Sequence, residues 1–267
     1  MLSVCLVTQD EEENLGRTLE SVQALVRDLG GEIVVVDSGS TDRTLEIARQ
    51  HGARIFSEPW KGFAGQKNSA MEKATKEWIL SLDADEPLEQ QCAAEILRLL
   101  RDQVSKSGDA RDTSAVQRQP VAYWIARKNY FLGRWMRHGG FYPDRKLRLI
   151  RRGAGHWVEH GAHPTIEVTG PTGTLRGAML HYAYPTLRTY LEHMNSYSSQ
   201  QAKFLVDSGR RGFDFVNIVL NPIATFLYNY VLRLGFLDGR EGFLLHAYHS
   251  AYVSWKYAKV WEMTRAK

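Results

Sequence analysis

Leu2 to Val7 is an apolar run that predicts a buried strand, and Thr8-Gln9-Asp10-Glu11 is the loop leaving it. The period then changes, with Leu15, Leu19, Val22 and Val26 falling on one helical face between Asn14 and Val26. Ile33 to Val36 predicts a second strand that ends at Asp37. Ser38-Gly39-Ser40-Thr41-Asp42 is a turn from which Thr41 or Asp42 can cap a helix reaching about Gln50. Arg54-Ile55-Phe56 predicts a short third strand and Gln66 to Thr75 a helix. Trp78-Ile79-Leu80-Ser81-Leu82 is a strand that stops in Asp83-Ala84-Asp85-Glu86. Strands and helices alternating at this spacing predict an α/β chain with a parallel sheet and right-handed crossovers. A helix follows from about Leu88 to Leu100, and the polar, aperiodic stretch 105–119 reads as a mobile surface loop. Val121 to Ala126 and Lys146 to Ile150 predict strands of a mixed portion, and from Thr186 onward the chain reads as helical and aromatic-rich. The expected organisation is therefore one α/β domain over residues 1–185 and a helical region over 186–267.

Open α/β sheets bind ligands at the carboxyl ends of their strands, which is where Asp83 and Asp85 emerge one residue apart. Two carboxylates that close repel unless a cation or a hydrogen-bond donor lies between them. Oxygen ligands of this kind suit Mg²⁺ or Mn²⁺ carrying a diphosphate. A solvated acidic turn explains most isolated Asp-x-Asp pairs, but here the loop after the first strand and Asp37 reach the same rim. A nucleotide would meet Thr8 and Asp37 at its base and ribose, and a metal at Asp85 would hold its diphosphate. Lys67 lies on a helix whose amino end reads Gly62-Phe63-Ala64-Gly65. It either adds charge to the phosphates or is a surface lysine.

Composition is that of a globular protein, 43% hydrophobic and 24% charged, with a formal net charge of +4. That mild basicity agrees with phosphate-bearing ligands or an anionic membrane. Cys5 and Cys92 fall in a predicted strand and helix, so neither a disulfide framework nor a zinc site is expected, as suits a reducing cytoplasm. The amino terminus enters an apolar strand at once without a basic leader, so export is not expected. Phe215 to Leu237 is apolar but broken by Asn217, Asn221, Pro222, Asn229 and Arg233, which argues against a spanning helix. Tyr228, Tyr230, Tyr248, Tyr252, Trp255, Tyr257 and Trp261 interleave with Lys256, Lys259 and Arg265. Such interleaving suits a helix at an anionic membrane interface, assisted by Arg210, Arg211 and Arg240. The same aromatics could instead pack across the sheet or form a homo-oligomer. No Gly-x-Gly-x-x-Gly follows the first strand, which disfavours a dehydrogenase, and the loop there lacks the Gly-rich, basic phosphate loop of a nucleotidyltransferase. Nothing points to nucleic acid.

Taken together, Val-Val-Val-Asp37-Ser-Gly-Ser-Thr-Asp42, Pro59-Trp60-Lys-Gly-Phe63, Gln66-Lys67-Asn68 and Leu82-Asp83-Ala84-Asp85-Glu86 resemble family 2 glycosyltransferases. Phe131-Leu-Gly-Arg-Trp135, His138-Gly-Gly-Phe-Tyr142-Pro-Asp144 and Gly235-Phe-Leu-Asp238-Gly resemble more narrowly the bacterial subgroup that adds glucose to the heptose of the lipopolysaccharide inner core. The resemblance implies a GT-A, Rossmann-like nucleotide-sugar-binding sheet, a divalent metal (Mg²⁺ or Mn²⁺) and inverting transfer from a nucleotide-diphosphate sugar, most simply a UDP-sugar. The acceptor it implies is a lipid-linked saccharide at the cytoplasmic membrane face. Carried over position by position, Thr8, Glu11, Asp37, Lys67 and Asp83 match nucleotide-contacting residues. Asp85 matches the metal ligand, with His181 as a second ligand.

Two departures alter that pattern. Gln9-Asp10 stands where relatives carry an aromatic and Asn, removing the aromatic that would stack on the base. His163-Pro164 stands where relatives carry His-Glu, and proline cannot move a proton. Inverting transfer needs a carboxylate to deprotonate the acceptor, and Asp144 leads Glu159 as candidate base. His163, Arg145 and Arg148 are candidates for acceptor or phosphate contact. A module that keeps the nucleotide site but has lost its base is the alternative, and a nucleotidyltransferase a more distant one.

Overall fold

The structure, a computed structural model, describes residues 1–107, 119–159 and 164–265. Its first compact unit comprises Met1–Arg127, Arg145–Glu159 and Pro164–His181, and its second comprises Lys128–Asp144 and the chain from Tyr182 onward. The boundary expected near residue 185 is thus displaced slightly, and the second unit also recruits an internal excursion. Of the stretch expected to be a loop, residues 105–107 belong to a helix and 108–118 lie outside the described residues.

The first unit opens with β1 (Leu2–Thr8), α1 (Leu15–Asp28), β2 (Glu32–Asp37), α2 (Thr44–Gln50), β3 (Arg54–Ser57), α3 (Phe63–Glu72), β4 (Trp78–Asp83) and α4 (Gln90–Ser107). The strands that follow are β5 (Ala122–Phe131), β6 (Arg134–Trp135), β7 (Asp144–Arg151), β8 (Gly155–Val158), β9 (Thr165–Val168) and β10 (Thr172–Tyr184). The main sheet runs β10-β5-β7-β4-β1-β2-β3, with β6 paired to β5, and β8 pairs β9 in a separate ribbon. β4, β1, β2 and β3 are mutually parallel, and β7 joins β4 antiparallel.

Register decides where the chemistry falls. Thr8 pairs with Asp37, and Val7 with both Val36 and Asp83, so the ends of β1, β2 and β4 reach one edge. The parallel strands are apolar on both faces because both are covered. Leu2, Leu6, Val35, Leu80 and Leu82 pack on α1 and α4, whereas Cys5, Val34, Val36 and Ile79 pack on α3 and Trp157. Each face therefore buries its own stripe. Cys5 and Cys92 are both buried free thiols, and burial pushes Cys92 up to about 12.

β10 is a thirteen-residue strand that periodicity did not suggest, and it runs close to α4. A Cβ on Gly177 would lie 2.4 Å from Cys92 Cα and 2.6 Å from Cys92 N. Glu95 of α4 accepts hydrogen bonds from the Arg176 and Gly177 amides, at 2.9 Å each through Oε2, so the approach cannot easily relax. Gly177→Ala is expected to destabilise the protein by about 2 kcal/mol through this overpacking. Urea unfolding checks it, and an unchanged midpoint would remove the close packing of β10 on α4 as a constraint.

In the second unit, α5 (Leu187–Asp207) is N-capped by Thr186, whose hydroxyl accepts from the Thr189 amide at 3.1 Å. The chain then runs through a π-helical turn Val216–Leu220, α6 (Asn221–Phe226), a second π-helical turn Leu227–Leu232, a 3₁₀ turn Gly235–Asp238 and α7 (Gly239–Thr264). Phe131, Met136, Tyr190, Met194 and Leu245 form the core, with Tyr248, Tyr252 and Trp255 packed against it. Three of the aromatics read from the sequence as interfacial are thus largely used inside this unit. Among the described residues, no helix is long and apolar enough to cross a membrane.

Candidate active site

Asp37 ends β2 fully buried, and the turn after it curls over the carboxylate. Oδ1 accepts from the Gly39 amide at 3.0 Å and the Ser40 amide at 2.9 Å. Oδ2 accepts from Thr8 Oγ1 at 2.9 Å and from the Ser40 hydroxyl. Gly39 sits at φ 101°, a conformation that glycine adopts readily and that lets both amides point at one oxygen. Burial opposes ionisation of Asp37, yet the Ser40, Thr8 and Gly39 hydrogen bonds outweigh it and hold the carboxyl below its usual range. The neighbouring loops clasp: Asp10 Oδ1 accepts from the Thr41 amide at 2.8 Å, and the Glu11 amide donates to Thr44 Oγ1 at 2.7 Å. Glu11 accepts from Asn14 Nδ2 at 3.0 Å, and burial raises its carboxyl despite that hydrogen bond, with Asp83 adding repulsion.

At the end of β4 a second group of charges is packed on Trp157. Asp83 Oδ1 accepts from Lys67 Nζ in a short ion pair, and its Oδ2 accepts from Arg148 Nη2 at 2.9 Å. Glu86 has no exposed side-chain area and takes Arg148 at 2.9 Å and Arg127 at 3.0 Å on Oε1, while its Oε2 accepts from the Asp83 amide at 3.1 Å. Lys67 Nζ and Arg148 Cζ sit 4.4 and 5.3 Å from the Trp157 ring centre. Burial opposes ionisation of Asp83, but Lys67 and Arg148 overcome it and hold the group far below the carboxylate range. Lys67 is accordingly no surface lysine. Arg148, a candidate from the sequence for acceptor or phosphate contact, directs its Nη2 to Asp83 and Glu86, with 5% of its side chain exposed. Arg145 does remain exposed at the start of β7, and Arg151 pairs with Glu77 at 2.9 Å.

Asp85 stands outside that network. Burial pushes its carboxyl up to about 8, and Glu86, Asp83 and Glu11 add to the shift. His181, towards the C-terminal end of β10, places Nε2 3.4 Å from Asp85 Oδ2. Among the described residues there is no group of three or more His, Cys, Asp and Glu side chains set to enclose a metal. Two protein donors nevertheless suffice for Mg²⁺ or Mn²⁺, which hold their waters and complete their shell with substrate phosphate. A carboxylate that resists ionisation until a cation arrives fits that donor set.

This predicts a pH dependence with a definite sign. A metal held by Asp85 would require the ionised carboxylate, so each such binding event below about pH 8 would release a proton. Apparent Mn²⁺ affinity should rise by up to about tenfold per pH unit from pH 6 and level off above pH 8. By the same linkage the metal-free fold loses stability as pH rises towards that value, because the native state binds the proton more tightly than the unfolded chain. Calorimetric titrations at three pH values check it. A flat profile would remove Asp85 from the metal's shell.

Asn68 pins this floor in place, its Oδ1 accepting from the Trp157 amide at 2.8 Å and its Nδ2 donating to the Trp157 carbonyl at 2.9 Å. Glu159 lies just beyond, where its Oε2 accepts from the Ala64 amide at 3.1 Å in the first turn of α3. Asp144 belongs to the second unit and accepts from Asn129 Nδ2 at 3.3 Å. The same unit joins two of the sequence motifs: His138 Nδ1 lies 2.8 Å from Asp238 Oδ1, and Asp238 Oδ2 accepts from the Arg137 and His138 amides at 3.0 and 2.8 Å. His163 lies outside the described residues.

Sequence reasoning missed Glu86, Arg127, Asn68 and Trp157 as parts of the site. Glu86 and Asn68 were inside quoted motifs and legible as polar residues there. Arg127 and Trp157 carry no local signal, since their partners lie 41 and 89 residues away in the chain.

A mixed sheet whose parallel strands bring Thr8, Asp37 and Asp83 to one edge has the architecture of a GT-A-type glycosyltransferase, and the comparisons with known proteins agree. The model of the glycosyl transferase family 2 matches residues 3–155, more than half of the chain, and the protein belongs to that family. The lipopolysaccharide core biosynthesis glycosyltransferase LpsC of Rhizobium meliloti (strain 1021) is 30% identical over 98% of this chain and 92% of that relative. An uncharacterized glycosyltransferase of Rickettsia prowazekii (strain Madrid E) is 29% identical over 91% of this chain and 80% of its own. Among solved structures, the mannosyltransferase of Pyrobaculum calidifontis in complex with GDP-Man and Mn²⁺ superimposes with a TM-score of 0.55 at 16% identity, covering 97% of this chain and 86% of that one.

Proposed function

We propose that this protein transfers a hexose from a nucleotide-diphosphate sugar to a lipid-linked saccharide of the lipopolysaccharide-core kind, with inversion at the anomeric carbon and with a divalent metal held by Asp85 and His181. The observation that carries the reading is the register of Thr8, Asp37 and Asp83 on one sheet edge, with the Asp85 carboxyl beside them raised by burial and then by its anionic neighbours. The name of the Rhizobium meliloti relative supports the acceptor class, and the GDP-Man and Mn²⁺ of the Pyrobaculum calidifontis complex support donor class and metal.

In this reading the Asp37 turn and Thr8 shape the nucleoside end of the donor site. Asp83 holds Lys67 and Arg148 beside the diphosphate, where their positive charge offsets the charge that accumulates on the leaving group. A divalent metal held by Asp85 and His181 would supply Lewis-acid stabilisation of that same diphosphate. Asp144 accepts the proton from the acceptor hydroxyl, oriented by Asn129. Glu159 is the second candidate, although one of its oxygens is engaged by the α3 amino terminus.

The test is a donor panel of UDP-glucose, UDP-galactose, UDP-N-acetylglucosamine and GDP-mannose, with Mn²⁺ and a lipopolysaccharide-core acceptor. The expected result is acceptor-dependent nucleotide release with one UDP-hexose. Donor binding without release, with every acceptor offered, would instead identify a binding module that has lost its base.

A further inference from the structure

We propose that the segment from Phe213 to Leu237 is an in-plane membrane anchor that lays an apolar stripe into the acyl region of an anionic phospholipid bilayer, with arginines at headgroup level. The inference rests on, and deepens, the reading of the acceptor as lipid-linked.

The segment is a helical stretch with two faces. No side chain from Val216 to Leu232 is buried. Val216, Leu220, Ile223, Leu227 and Val231 recur at helical spacing and are each about half exposed, from 46% to 56%. The opposite face is occupied: Phe226 and Tyr230 pack on Phe243 of α7 with ring centres 6.0 and 5.7 Å apart, and Ser254 Oγ donates to the Ile218 carbonyl at 2.8 Å. The stripe is thus left over after the unit has packed. Phe215, Leu232 and Leu237 extend it, at 57%, 73% and 49% exposure. An apolar surface so continuous in a helical segment marks a partner surface rather than ordinary scatter.

Charge selects the partner. From Phe215 to Leu232 the chain carries no charged residue, and arginines stand at both ends: Arg210 and Arg211 before it, Arg233 and Arg240 after it, all exposed. From Lys203 to the C terminus there are nine Lys and Arg against five Asp and Glu, a net +4 that equals the formal charge of the entire chain. A second copy meeting this face would bring like charges together, whereas anionic headgroups would attract them. Two polar side chains within the stretch are paired locally. Asn217 Nδ2 donates to Asp214 Oδ2 at 2.6 Å, and Asn221 Nδ2 donates to Asn217 Oδ1. Helical backbone and these locally paired asparagines lower the cost of shallow burial in lipid.

Flotation of the full chain with vesicles of phosphatidylcholine alone, or of phosphatidylcholine and phosphatidylglycerol at three to one, tests the anchor. Wild type should float with the anionic vesicles at low salt. The triple variant Leu220→Glu, Ile223→Glu, Leu227→Glu should lose at least tenfold in partitioning, and the milder pair Ile223→Ser, Leu227→Ser severalfold. Arg210→Glu with Arg211→Glu should weaken binding to anionic vesicles only. Melting temperature and donor binding in solution should stay unchanged in all of them. Flotation of the triple variant equal to wild type, or its conversion of a dimer to a monomer with vesicle binding intact, would overturn the proposal. So would wild type that stays with the buffer. Acceptor-free donor binding is read in the same samples, so a failed anchor and a failed glycosyltransferase reading give different results.

Discussion

Asp85→Ala is expected to lower nucleotide-sugar turnover by about a hundred- to a thousandfold while leaving the fold intact. The separation of the two effects follows from where the side chain sits. Asp85 takes no part in the ion pairs that join Lys67, Arg127 and Arg148 to Asp83 and Glu86. Its own ionisation is opposed by burial and by Glu86, Asp83 and Glu11, so without metal the folded protein holds it protonated up to about pH 8 and its removal takes no charge out of the network. The variant should therefore keep its melting temperature without metal and lose Mn²⁺ binding. Asp83→Ala makes the contrast, because it deprives buried Lys67 and Arg148 of a shared partner. It should cost about 3 kcal/mol in stability as well as activity. If Asp85→Ala keeps both Mn²⁺ binding and turnover, the metal lies elsewhere and the β4 rim is structural.

Asp144→Asn should reduce transfer by about a thousandfold, within the range of roughly 10²–10⁴ associated with a general base, while donor affinity is unchanged. The substitution keeps the size of the side chain, and an amide oxygen can still accept from Asn129 Nδ2, so the loss reports chemistry rather than collapse. Glu159→Gln is the matched control. Its carboxylate accepts from the Ala64 amide at the start of α3, and a neutral oxygen can replace it there with only the helix-terminus attraction lost. A loss in Glu159→Gln alone would transfer the base to that residue, and would give the His163-Pro164 departure a local remedy. Loss in neither would favour the binding module.

The parallel half of the fold could be read directly. Val34, Val35 and Val36 announce a strand buried on both faces, and Leu15, Leu19 and Val22 the helix that covers one of them. Boundaries were less legible where a backbone device moved them. α3 begins at Phe63, earlier than its apolar period suggests, because Gly62 at φ 82° turns the chain into it and Glu159 from a distant segment meets its first turn. β8 and β9 escaped because they are short, and β10 because its apolar and polar residues lack a clean alternation. Lys67 was correctly singled out, but its ambiguity between phosphate contact and surface decoration is physical. A lone lysine acquires its role from Asp83 and Trp157, which arrive from elsewhere.

The sequence by itself determined what depends on neighbours along the chain: the strand–helix alternation, the rim residues at strand ends, the acidic pair and the family motifs. These are local because periodicity and turn chemistry act over a few residues. Only the tertiary structure decided how charges were shared. It assigned Arg148 to Asp83 and Glu86, and left Asp85 outside that network beside His181. It also brought His138 to Asp238 across a hundred residues, and turned the stripe from Val216 to Val231 outward while Tyr248, Tyr252 and Trp255 went inward. The reason is the same in each case. Burial and Coulomb energy depend on distance in space, and a folded chain sets that distance independently of separation in sequence.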